Sequence, residues 1–85
     1  MEDILQKLSA LLRSHFPNCE LEIEYVADGN VSGFMIWEGF ELLDHIDRQR
    51  KVWEVIRKNL SRDEWGKVRA VLTMTPEEMA HARAG

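Results

Sequence analysis

The chain of 85 residues has one cysteine, two prolines and no long uncharged apolar run, and each scarcity excludes something. A lone Cys19 cannot close an internal disulfide or anchor a multi-cysteine zinc site within one chain, which suits a reducing compartment. Cytoplasm is the expected location. The stretch MEDILQKLSALLRSHF opens with acids and carries Lys7 and Arg13 inside its apolar pattern, unlike the basic-then-apolar order of a signal peptide. Nothing approaches a membrane span, so no membrane partner is expected. The P-loop, the dinucleotide fingerprint and the Gly-x-Ser-x-Gly elbow are also missing. A non-enzymatic protein without cofactor or small-molecule substrate is the expectation.

A chain this short buries only about 60–65% of the surface its unfolded form exposes, so one core must serve a single domain over residues 1–85. Hydrophobic residues make up 45% of the chain and charged ones 31%, as in an ordinary folded module rather than a disordered tail. The net charge of −4 conceals a strong asymmetry. Residues 1–47 carry −8, residues 48–69 carry +5 and residues 70–85 carry −1. Such a two-faced charge distribution bears on partners rather than on fold.

Ile4, Leu5, Leu8, Leu11, Leu12 and Phe16 recur at helical spacing until Pro17, predicting a helix over 2–15. In ELEIEY the period changes to two, with Glu20, Glu22 and Glu24 on a solvated face. Asp28-Gly29 marks a turn into VSGFMIW, which is apolar on both faces. Helical spacing returns from Leu42 to Leu60. It predicts a helix over 43–59 whose inner face holds Ile46, Trp53 and Ile56, with Arg48, Arg50, Lys51, Arg57 and Lys58 outside. Ser61 and Glu64 form a capping-box pattern over one short turn; a strand with Val68, Ala70 and Leu72 on one face follows. Thr75, Pro76 and Glu78 then open a last helix. The predicted fold is α+β, in the order α-β-β-α-(turn)-β-α. Strands 21–26, 31–37 and 67–73 form one three-stranded sheet, with the helices at 2–15 and 43–59 packed on one face.

The histidines His15, His45 and His81 have no ligand-like spacing, so no metal site within the chain is expected. Cys19 and His45 remain as candidate ligands for a site shared with another molecule. Arg48, Arg50, Lys51, Arg57, Lys67 and Arg69 are the candidate partner-binding or nucleic-acid-binding residues. They could contact phosphates with salt-sensitive affinity, although the acidic first half repels phosphate nearby.

The motif HFP, the acidic alternating strand, GF, the helix with IDRQRKVW and the finish TMTPEEM together resemble the BolA-like family over most of the chain. Phe40, Arg48, Arg50, Val52, Trp53, Thr75, Pro76, Glu77 and Glu78 sit where that family has an aromatic before a loop, an Arg-His-Arg-x-Val-Tyr helix and a Thr-Pro-Glu-Glu finish. The resemblance implies a fold similar to class II KH domains. It also implies DNA-linked regulation, and partnership with monothiol glutaredoxins in iron–sulfur handling. Gln49 stands in place of the helix histidine, and Lys67 in place of the strand-opening histidine that the family uses as a cluster ligand. An ammonium offers no lone pair where an imidazole would. The overall expectation is a small regulatory or adaptor protein that docks a macromolecular partner. A DNA-binding regulator is the alternative, and glutaredoxin-partnered cluster handling the second alternative.

Overall fold

The computed structural model describes residues 3–84. Asp3 opens α1 (Ile4–His15) by accepting a hydrogen bond from the Leu5 amide at 2.8 Å. The expected start at residue 2 lies outside the described residues. Phe16 ends the helix, its amide bonded to the Leu12 carbonyl, and Pro17 and left-handed Asn18 turn the chain into β1 (Glu20–Tyr25). A short 3-10 turn at Ala27–Gly29, with Asp28 and Gly29 both at positive φ, leads to β2 (Val31–Ile36). The hairpin pairs Glu20 with Ile36 and Tyr25 with Val31.

After β2, a 3-10 segment at Glu38–Leu42 buries Phe40 beneath the entry to α2 (His45–Asn59), capped by Asp44. One helical turn, α3 (Arg62–Trp65), carries the expected reciprocal cap between Ser61 and Glu64. β3 (Val68–Met74) then pairs parallel to β2, giving the sheet order β1-β2-β3, and α4 (Pro76–Ala84) ends the described chain. The α+β order and the three-stranded sheet are as expected.

One face of the sheet carries the core. Leu8, Leu12 and Phe16 from α1 meet Val31 and Met35 from β2, Val71 from β3, and Val52 and Ile56 from α2. The glutamates of β1 occupy the opposite face, as alternation requires. Arg83 of α4 pairs with Glu22 on that second face.

Three expectations about side-chain direction need correction. In β3 the register slips between the Val31/Val68 pair and the Ser32/Ala70 pair, which inserts Arg69 as an extra residue. Alternation therefore reverses: Val68, Val71 and Thr73 are buried, and Leu72 is 51% exposed. In α2 the buried line is Arg48, Val52 and Ile56, at intervals of four. Ile46 points away and is 64% exposed. Arg48 is only 5% exposed, because its guanidinium turns inward to carbonyls at the end of the 3-10 segment. Its Nε donates to the Phe40 and Leu43 carbonyls at 3.0 and 2.9 Å, and a terminal nitrogen donates to Glu78 at 2.7 Å.

Candidate docking groove beside the second helix

Trp53 does not disappear into the core. It packs against the core cluster with one part of its surface and remains partly exposed with another, where it lines two adjoining depressions. The larger, about 630 Å³, runs along the outer side of α2 between Gln49, Arg50, Trp53, Glu54, Arg57 and Lys58. The smaller, about 230 Å³, continues from Trp53 and Arg57 to Trp65, Gly66 and Val68. Both are open to solvent. The path therefore leads from α2 across α3 to the start of β3.

Two local devices build the walls. Gln49 turns toward β3, where its amide Nε2 donates to the Val71 carbonyl at 2.8 Å and approaches the Thr73 hydroxyl at 3.5 Å. This bond ties α2 to β3. The other device is the Arg57 guanidinium, whose central carbon lies 5.3 Å from the Trp65 ring centroid and 5.9 Å from that of Trp53. Trp53 and Arg57 are one helical turn apart, so α2 alone brings them together. α3 supplies Trp65 and is held in place by its cap and by the Lys7–Glu64 ion pair to α1.

The expected site residues separate into distinct groups. Arg50, Lys51, Arg57, Lys67 and Arg69 are exposed, and Arg50 and Arg57 line the groove. Arg50 lies 3.9 Å from Asp47, and Lys58 is paired with Glu54 at 2.8 Å, which lowers the Glu54 carboxyl below its ordinary range through that hydrogen bond. Arg48 does not belong to this surface. Its hydrogen bonds make it an internal tie between α2, the 3-10 segment and α4, so it leaves the set of partner-binding candidates.

Sequence reasoning missed Gln49 and Trp65 as groove-forming residues. The Trp53–Arg57 spacing of four was a usable signal for a stacked cation. Trp65 gave no comparable signal, because its meeting with Arg57 depends on how α3 folds back.

The candidate ligands do not assemble. His45 is exposed at the start of α2, while Cys19 is partly buried at the junction of α1 and β1. Burial raises the Cys19 thiol above its ordinary value, which disfavours the thiolate that would bind metal. Among the described residues no three of His, Cys, Asp and Glu come together as a metal site. At the positions that the family resemblance assigns to histidine, Gln49 is engaged with β3 and Lys67 presents an ammonium. This donor set does not fit an iron–sulfur cluster.

No family model matches the chain, and no curated protein does. Solved structures do match. BolA1 from Arabidopsis thaliana superposes with a TM-score of 0.71 at 24% identity, covering 92% of this chain and 98% of that one. A bol-like protein from Babesia bovis superposes with a TM-score of 0.68 at 20% identity, covering 98% of this chain and 94% of that one. The chain has the fold of these proteins over nearly its full length.

Proposed function

We propose that this chain is a divergent, non-enzymatic BolA-like module of the cytoplasm that acts as an adaptor, docking a protein partner in the groove beside α2. The observation that carries this reading is the pair of partly exposed tryptophans, Trp53 and Trp65, flanked by exposed cations of α2. Aromatic and arginine side chains dominate binding energy at protein interfaces, whereas isolated surface lysines contribute little. The shared fold supports the family reading, and no helix among the described residues is long and apolar enough to cross a membrane.

Site-specific photo-crosslinking tests the docking surface. A photoreactive residue placed at Lys58, on the groove, is expected to trap a discrete protein partner in cells, and the same residue at Glu77 on α4 is not. Equal trapping from both positions, or none from Lys58, would remove the docking assignment.

DNA binding is the second reading, favoured by the exposed Arg50, Lys51, Lys67 and Arg69. If these residues contact phosphates, apparent affinity falls steeply with salt, and each charge removed flattens the slope by about one unit. Failure to bind duplex DNA at low salt eliminates it. A monothiol glutaredoxin remains a candidate protein partner under the first reading. Because the donor set does not fit a cluster, mixing this protein with a cluster-loaded glutaredoxin is expected to leave the cluster's visible absorption and circular dichroism unchanged.

A further inference from the structure

Among the cations of the groove, Arg57 differs in what it lacks. Lys58 is paired with Glu54, and Arg50 has Asp47 nearby. Arg57 has ring contacts with two tryptophans and no acceptor among the described residues. A guanidinium lying over aromatic rings keeps its N–H donors available, and a guanidinium meets a carboxylate with two parallel hydrogen bonds.

We propose that Arg57, held against Trp53 and Trp65, is a carboxylate grip, and that the two adjoining depressions take an acidic peptide segment of a partner protein. The inference rests on the docking reading above and specifies its chemistry. Three features favour an acidic peptide. Among the lining side chains Arg50, Arg57 and Lys58 are cationic and Glu54 alone is acidic, a balance complementary to it. Indole surface in both depressions offers apolar contact for a neighbouring side chain of the same segment. The grip is also assembled before binding, so little further ordering of Arg57 is required.

A nucleic acid fits less well. Arg57 already stands over both indole rings, so a base would have to displace it before stacking there. The competing occupant closest to hand is a second copy of this chain, since ELEIEY in β1 has the same acidic and apolar alternation.

The test uses a labelled peptide alternating glutamate with leucine, the same peptide with glutamine for glutamate, and single-stranded oligothymidine. Binding is followed by fluorescence anisotropy and by the indole N–H resonances in NMR. The acidic peptide is expected to bind and to shift the Trp53 and Trp65 resonances. Trp37, whose Nε1 donates to the Pro17 carbonyl, should stay in place. Arg57→Lys keeps the charge and loses the fork, and should weaken binding by about tenfold. Lys58→Gln should change it little.

Equal binding of the glutamine peptide overturns the proposal with no variant needed, as does tighter binding of oligothymidine. An Arg57→Lys protein that melts like the parent and binds equally well also overturns it. Concentration-dependent dimerisation in sedimentation velocity that disappears in Arg57→Lys assigns the groove to a second copy and refutes a separate partner. If the acidic peptide fails while crosslinking from Lys58 still traps a partner, the grip is wrong and the docking surface stands. If both fail, both readings fall.

Discussion

Removal of the Arg48 side chain takes a donor from the Leu43 carbonyl, leaves the Phe40 carbonyl with the Leu43 amide alone, and leaves Glu78 without its cation. Arg48→Ala is therefore expected to cost about 2–3 kcal/mol, from the part-buried Leu43 acceptor that loses this donor, one bond fewer at the Phe40 carbonyl and a lost charged bond exposed on one side. Arg50→Ala, two residues away on the same helix, should stay within about 0.5 kcal/mol of the parent. Urea denaturation midpoints of the two variants decide the matter, and equal midpoints would return Arg48 to the surface. The sequence could not distinguish these arginines, since both sit in a basic run and helical periodicity counts only apolar residues. What separates them is the 3-10 segment at Glu38–Leu42, which presents carbonyls to one and not to the other. Arg50, Lys51, Arg57 and Lys58 were correctly read as lying outside, because a cation without a buried acceptor stays in water.

At the scale of elements, the strands and long helices were legible because each has a strong period and a clear stop. Alternation in ELEIEY, the Asp28-Gly29 turn and the Ser61–Glu64 box all appear in the structure as read. β3 was the exception: VRAVLTM supports alternation in either phase, and only pairing with β2 shows where it slips. The bulge at Arg69 gives an expectation opposite to the simple pattern. Val71→Ala, at 1% exposure, should cost about 2 kcal/mol, and Leu72→Ala should cost much less. Thermal melts of the two variants check it, and a larger loss at Leu72 would mean that the strand keeps its original phase. Gly33 also belongs to this scale. A Cβ there would lie 2.0 Å from the Glu22 carbonyl oxygen, so the close approach of β1 and β2 depends on its missing side chain.

Over the whole molecule, ion pairs link elements far apart in sequence: Lys7 of α1 with Glu64 of α3, Arg48 of α2 with Glu78 of α4, and Glu22 of β1 with Arg83 of α4. These ties were invisible in the charge pattern, which separates an acidic first half from a basic middle without saying which residues meet. They make stability depend on acid in a definite direction. The hydrogen bond from Lys7, reinforced by the Ser61 amide, lowers the Glu64 carboxyl from 4.5 to about 2, and the hydrogen bond from Arg48 lowers Glu78. A carboxyl depressed in the folded state contributes stability above its unfolded pKa and loses it as pH falls through the folded value. The melting temperature should therefore hold steady from neutral pH to about 5 and decline below 4.5. Glu64→Gln removes one titrating group and preserves the capping box, since glutamine also serves at that position. That variant should melt below the parent at neutral pH, and the gap should close as pH approaches about 2. Both proteins still lose stability through Glu78, so the expected signature is convergence rather than a flat profile for the variant. Calorimetric melts across the acid range measure it; a gap that stays constant down to the lowest pH would show that the Lys7–Glu64 tie does not contribute to folding stability.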